Sequence, residues 1–241
     1  MELVVVKDYQ ELSRVGAEWV KKLINAKPDS VVIPALGNTP IGMYGELTAM
    51  REAGQFDTTR IRIFQLDGYL GLAPEDERSL TGWLRRSILE PWQIEEKRAV
   101  LLAEDGVEVG AVCEDYDRKI TEAGGVDVLI LGLGPNGHLG FNEPPSTASS
   151  PTREVLLTAE SIRSNAVYWG GEENVPKSSL TAGMDVLLGA RHILLLVSGE
   201  NKQDILRKTI EGPVSEHVPS SFLQTHPNVT VIADKGAWPQ A

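Results

Sequence analysis

One cysteine in 241 residues, Cys113, is the first scarcity of this sequence. A single thiol cannot close an internal disulfide, so a reducing cytoplasm is the expected setting. Positive charge is scarce too: 23 Lys and Arg stand against 34 Asp and Glu, a formal net charge of −11. General nucleic-acid binding and docking on an acidic membrane both need a cationic field, so neither partner is expected. A small anionic ligand remains compatible, because a few N–H groups and one or two Lys or Arg can hold a phosphate on an acidic protein. No apolar run approaches the ~20 residues of a membrane-spanning helix. The opening MELVVVKDYQEL has only a short apolar run and carries Glu2, which argues against a signal peptide. The four histidines (His138, His192, His217 and His226) are scattered, with no His-x-x-x-His and no cysteine pair. A zinc enzyme is therefore not expected.

What is present suits a globular α/β protein. With 41% hydrophobic and 24% charged residues, the chain has material for a large core. Short β-rich apolar runs predict strands near Leu3–Val6, Val31–Leu36, Ile61–Leu66, Val100–Leu102, Val126–Leu131, His192–Val197 and Val229–Ala233. Amphipathic segments between them predict helices over Tyr9–Ala26, Pro40–Arg51, Arg78–Leu89, Val107–Ala123, Leu180–Leu188 and Asn201–Glu211. The run VDVLILGL is continuously apolar, as a central strand buried on both faces must be. The alternation predicts a Rossmann-like three-layer α/β sandwich with a mostly parallel sheet. No linker, charge block or repeat divides it, so residues 1–241 are read as one domain.

In such folds functional groups gather beyond the carboxyl ends of the strands. Four segments fall there: ALGNTP, LDGYLG, LGLGPNGHLGFNEP and SGENK. The third contains Gly132-x-Gly134-x-x-Gly137, a match to the dinucleotide fingerprint. Its continuation contradicts that use. Pro144 and Pro145 prevent a helix from running through this point, and the nearest acidic candidate, Glu154, precedes an apolar run instead of closing it. A catalytic loop is the better reading, with glycines that let the backbone turn tightly. His138 and Glu143, five residues apart, can converge there as a carboxylate–imidazole pair suited to proton transfer. Asp67 ends the apolar IFQL, where a carboxylate points into the crevice or caps a turn. Around Leu36, Gly37, Asn38 and Thr39 a small-residue turn leads into a helix, with Thr39 as candidate N-cap and Pro40 at the first helical position. Such a turn can cradle an anion. Lys202 is placed in the first turn of a later helix, against the dipole, which favours a functional explanation.

LDGYLGL, GLGPNGHLGFNEP, NVPKSSLTAG and LLLVSGENK, in this order and spacing, resemble the glucosamine-6-phosphate deaminase (isomerase) family over nearly the whole chain. The resemblance implies conversion of an amino-sugar 6-phosphate and water to a ketose 6-phosphate and ammonia, with neither metal nor organic cofactor. By position, Asp67 would shuttle the C2 proton. His138 would assist ring opening, oriented by Glu143 and Asn136. Leu36, Gly37, Asn38, Thr39 and Lys202 would hold the 6-phosphate. Three residues depart from the pattern. Gly68 stands where Glu is common after the Asp. Asn136 stands where some members have Asp. Val167 stands where the glucosamine members usually carry a phosphate-contacting Arg, with Arg153 and Arg163 as nearby candidates to compensate. Galactosamine-6-phosphate deaminases share the LLLVSGENK-like stretch and can lack that Arg, so they are the close alternative. A 6-phosphogluconolactonase-like hydrolase and a non-catalytic sugar-phosphate-binding protein complete the alternatives. The chain ends in DKGAWPQA soon after the last strand, which favours a monomer or small homo-oligomer.

Overall fold

A computed structural model of the chain describes residues 1–73, 76–102, 105 and 108–239. Ten strands and seven α-helices are named in chain order. They are β1 (Glu2–Val6), α1 (Tyr9–Ala26), β2 (Val31–Pro34), α2 (Asn38–Glu52), β3 (Arg62–Phe64), β4 (Asp67–Tyr69) and α3 (Leu80–Leu84). Then follow β5 (Ala99–Val100), α4 (Val109–Glu122), β6 (Val128–Leu131), β7 (Arg153–Leu156), α5 (Ala159–Trp169) and β8 (Ser178–Thr181). The last are α6 (Met184–Leu188), β9 (His192–Val197), α7 (Gln203–Glu211) and β10 (Val229–Asp234).

All seven expected strands form, and they make one sheet in the order β1-β10-β9-β6-β2-β3-β5. Every pairing within it is parallel. The apolar run at β6 shows why the sheet is buried on both faces. Leu129 and Leu131 join one core, with α4 and α6, while Val128 and Ile130 join the other, with α1 and α2. Successive side chains of a strand point to opposite faces. Helix α1 starts where the sequence places it, because the Asp8 carboxylate accepts the Glu11 N–H at the N-cap. Its Leu12, Val20 and Ile24 are fully buried, each contributing roughly 1.5–3 kcal/mol.

Three strands were not anticipated. β4, β8 and β7 form a small antiparallel sheet in that order. The helix expected over Leu180–Leu188 is thereby corrected: its first residues are β8 and only Met184–Leu188 is helical. Gly183 divides the two, and a Cβ there would lie 2.3 Å from the backbone of Pro151. The helix expected over Arg78–Leu89 is also shorter, with Leu80–Leu84 α-helical and Arg85–Leu89 widened to a π-turn. The start of the expected Val107–Ala123 helix, Val107, lies outside the described residues, as do Gln240 and Ala241 of the final DKGAWPQA. Helix α5 was missed, although Ile162, Ala166 and Trp169 at i, i+4 and i+7 supply its half-buried stripe. Among the described residues no helix is long and apolar enough to cross a membrane.

Candidate active site

The residues that follow β2, β3, β6 and β9 meet at the carboxyl ends of the parallel strands and enclose a cleft of about 940 Å³. All four segments singled out from the sequence line it. Leu36 and Gly37 come from the turn before α2, Asn38 and Thr39 from its first turn, Asp67 from β4, His138 from the glycine-rich loop and Lys202 from the turn before α7. Arg78, Trp83 and the Val167–Trp169 end of α5 complete the wall.

The glycine-rich loop has a function other than a dinucleotide cradle. It folds back on itself after β6, with Gly137 N–H bonding Gly134 O at 3.1 Å and Gly134 N–H bonding His138 O at 3.1 Å. This turn lays the imidazole flat on Gly134. A Cβ at Gly134 would sit 2.3 Å from His138 Cδ2 and Nε2, so only glycine leaves room for the ring. Gly137 adopts φ 87° against Ile205 and Val218, where a side chain has neither the conformation nor the space. Gly140 approaches Asp67: a Cβ there would lie 3.5 Å from Asp67 Oδ2. The loop thus passes beside Asp67, and the imidazole and this carboxylate line the same cleft.

His138 Nδ1 lies 3.4 Å from Glu143 Oε2 and 3.2 Å from Ser161 Oγ. Asn136 acts on this pair indirectly. Its Nδ2 donates to Glu143 Oε2 at 2.7 Å, and its Oδ1 accepts the His138 backbone N–H at 3.2 Å. The amide thus meets the Glu143 carboxylate and the His138 backbone, and the carboxylate in turn faces the ring. Thr158 adds its backbone N–H to Oε1 at 3.4 Å and its Oγ1 to Oε2 at 3.2 Å. Burial raises the Glu143 carboxyl, but the hydrogen bond and charge of His138, with Ser161 and Asn136, reverse this and hold it at about 2.

Asp67 is buried, opens β4 and pairs in register with Thr181 of β8, which places its carboxylate at the floor of the cleft. Gly68 lies inside the same small sheet, its carbonyl accepting from Ser179 Oγ at 2.8 Å. At the opposite wall, helix α2 begins two residues earlier than its proline suggests. Gly37, at φ 140°, is the N-cap, which corrects the assignment of Thr39 to that role. Thr39 sits in the first turn, beside the cleft. Asn38 N–H points to Tyr168 Oη at 3.4 Å, and Tyr9 Oη donates to Asn38 O at 2.9 Å while accepting Gly42 N–H at 3.0 Å. Lys202 belongs to a single 3₁₀ turn and caps α7. Its Nζ donates to Leu133 O at 2.7 Å, and burial lowers the ammonium below its usual range.

Val167 is 73% exposed at the rim and offers the cleft no charge. Neither candidate for compensation faces the site. Arg153 is spent on Asn142 Oδ1 and Ser146 Oγ, both at 2.8 Å, and Arg163 lies 3.8 Å from Glu172 on the outer side of α5. Among the described residues the cations that line the cleft are Lys202 and Arg78. Arg78 had carried no signal in the sequence. It is paired with Asp76 at 2.7 Å and stacked 4.8 Å over the Trp169 ring. Thr158 and Ser161 were also missed, because their role depends on α5 packing its first turn against the glycine-rich loop. Among the described residues no group of three His, Cys, Asp or Glu side chains converges where it would hold a metal ion.

Known proteins resemble this chain over nearly its whole length. The family model for glucosamine-6-phosphate isomerases/6-phosphogluconolactonase matches residues 8–232. A glucosamine-6-phosphate deaminase from Halothermothrix orenii is 40% identical over 237 residues, covering 98% of each chain. One from Streptomyces coelicolor is 41% identical over 240 residues, covering 98% of this chain and 91% of the relative. The solved structure of a monomeric glucosamine-6-phosphate deaminase matches with a TM-score of 0.95 at 33% identity, covering 98% of both chains. A 6-phosphogluconolactonase from Leishmania guyanensis, at 20% identity and TM-score 0.77 over 100% of this chain and 98% of its own, shares the fold. From its second secondary-structure element to its last strand, this chain belongs to the family of glucosamine-6-phosphate isomerases and 6-phosphogluconolactonases.

Proposed function

We propose that this protein converts glucosamine 6-phosphate and water to fructose 6-phosphate and ammonia. The observation that carries the reading is the meeting of Asp67, His138 and Lys202 in one cleft, with Glu143 beside the imidazole, in a chain about 40% identical over its length to glucosamine-6-phosphate deaminases.

The 6-phosphate sits at the start of α2, where backbone N–H groups and the positive end of the helix favour an anion, and Lys202 supplies a full charge. His138, with Nδ1 directed at Glu143, offers Nε2 to the ring oxygen and hydroxyl of the pyranose and moves the proton that opens it. Asp67 then takes the proton from C2 of the open aldose and returns it at C1. The resulting ketose imine adds water and releases ammonia. Each step is acid–base work on a positioned sugar, and no step needs a metal or organic cofactor. A buried carboxylate as base suits a carbon acid, because a site that excludes water spares the base its hydration shell.

The uncharged rim at Val167 favours one second reading, the galactosamine epimer as substrate. The chain acts as a monomer or small homo-oligomer in the cytoplasm, in keeping with its single buried thiol, Cys113. Ammonia release should be assayed from both amino-sugar phosphates side by side, with Asp67→Asn as control. We expect turnover of glucosamine 6-phosphate that falls by about 10²–10⁴-fold in Asp67→Asn. Ammonia only from the galactosamine epimer would replace the first reading with the second. Acid release from a 6-phosphogluconolactone without ammonia from either sugar would overturn both.

A further inference from the structure

We infer that Thr158 and Ser161, at the start of α5, are positioning residues of the proton-transfer pair, so that the docking of this helix sets the orientation of the His138 ring. The inference rests on the deaminase reading for its effect on turnover, while its structural content concerns the ring itself.

Thr158 has two tasks at once. As N-cap of α5 its Oγ1 accepts the Ser161 N–H at 3.2 Å. The same hydroxyl lies 3.2 Å from Glu143 Oε2 and accepts from Asn136 Nδ2 at 3.3 Å. Ser161 is fully buried, with its Oγ 3.2 Å from both His138 Nδ1 and Thr158 Oγ1. The five side chains Asn136, His138, Glu143, Thr158 and Ser161 therefore form one connected polar cluster. A buried cluster of this kind is favourable only while each member keeps its partners.

The hydrogen-bond inventory assigns the ring's tautomer. Glu143 is held as a carboxylate, an acceptor only, and both its oxygens face donors. Nδ1 has the Glu143 carboxylate and the Ser161 hydroxyl in front of it, so it carries the proton and donates between them. Nε2 is left as the acceptor available to a substrate. Without Ser161, Nδ1 keeps a single acceptor at 3.4 Å, a long contact that fixes the ring poorly. The other end of α5 bears on the anion cradle, since Tyr168 Oη meets Asn38 N–H at 3.4 Å. One eleven-residue helix thus touches both ends of the cleft.

The test uses Ser161→Ala, Thr158→Val and Thr158→Ser in the full chain, with Arg163→Gly as a control on the outer face of α5. Steady-state kinetics give kcat and KM, and ¹⁵N-edited NMR of the ligand-free protein, assigned with His138→Gln, reads the ring nitrogens directly. We expect Ser161→Ala and Thr158→Val each to lower kcat about tenfold, with KM within about twofold. The His138 signals should move from an Nδ1-protonated pattern toward a mixture of tautomers. Thr158→Ser, which keeps the hydroxyl, should restore both readouts, and Arg163→Gly should leave both near wild type. Unchanged kcat and unchanged ring signals in Ser161→Ala would overturn the inference. So would Arg163→Gly reproducing the loss, because helix stability would then account for it. A wild type that releases no ammonia but shows the same movement of the ring signals sinks the deaminase reading and supports the positioning of His138.

Discussion

Asp127 and Glu143 are two carboxylates buried to the same degree, each 4% exposed, at opposite ends of the same sheet. Asp127 stands at the amino end, just before β6. Its Oδ2 accepts from Lys27 Nζ and Val31 N–H, both at 2.8 Å, and its Oδ1 from Arg191 Nη1 at 3.0 Å. Permanent cations and a backbone donor neutralise it, and it ties the starts of β2, β6 and β9 together. Glu143 stands at the carboxyl end and has no such cation among its hydrogen-bond partners within the described residues. Its partners are an amide, two hydroxyls, a backbone N–H and an imidazole whose charge can change. Equal burial therefore says little about role. A carboxylate surrounded by fixed charge holds structure, and one whose neighbour can gain or lose a proton is equipped to move one.

That contrast can be broken by exchange experiments. Glu143→Gln keeps the shape and removes the charge that orients His138. We expect kcat to fall on the order of 10²-fold while circular dichroism stays native, and a kcat within threefold of wild type would erase the distinction. Acid titration sharpens it next. The Glu143 carboxyl is held at about 2 in the folded protein, well below the ordinary range of a free glutamate, so as pH falls the folded state binds this proton later than the unfolded chain does. The carboxylate's contribution is complete above about pH 4.5 and fades as pH falls toward 2, at most on the order of 3 kcal/mol. Denaturant melts of wild type and Glu143→Gln should converge over that window, and curves that stay parallel from pH 6 to 3 would refute it. Asp127→Asn is the mirror image and the smallest effect. It should cost about 1–3 kcal/mol of stability, softened because Lys27 and Arg191 remain partly exposed. Its kcat should stay within twofold of wild type in the ammonia assay, and a kcat that falls with stability unchanged would reverse the two roles.

Much of this molecule could be read directly from its residues. The seven parallel strands announce themselves because each is a short apolar run, and β6 is apolar throughout because both its faces are covered. The cleft was foreseeable for a related reason: loops after parallel strands open at one end, so ALGNTP, LDGYLG, the glycine-rich loop and SGENK had to lie together. The small sheet was harder to see. β7 reads R-E-V-L and is half exposed, and β8 reads S-S-L-T, so neither has the apolar density of a core strand. Their pairing depends on β4 being carried out of the main sheet by Asp67–Tyr69, a long-range event with no local mark.

Residue chemistry and order along the chain therefore determined the class of the fold, the location of the cleft and the presence there of Asp67, His138, Glu143 and Lys202. Local pattern suffices for these, because hydrophobic period and strand–loop–helix order are properties of short segments. Tertiary structure alone decided which neighbours each group received. It set Gly134 under the imidazole, turned Asn136 toward Glu143 and away from the ring, and moved Arg153 out of the cleft while leaving Arg78 in it. It also brought Thr158 to Glu143 and Ser161 to His138, from 15 and 23 residues away. Those contacts are set by how α5 and the small sheet pack over the loop, and packing between distant segments leaves no periodicity in the sequence to read.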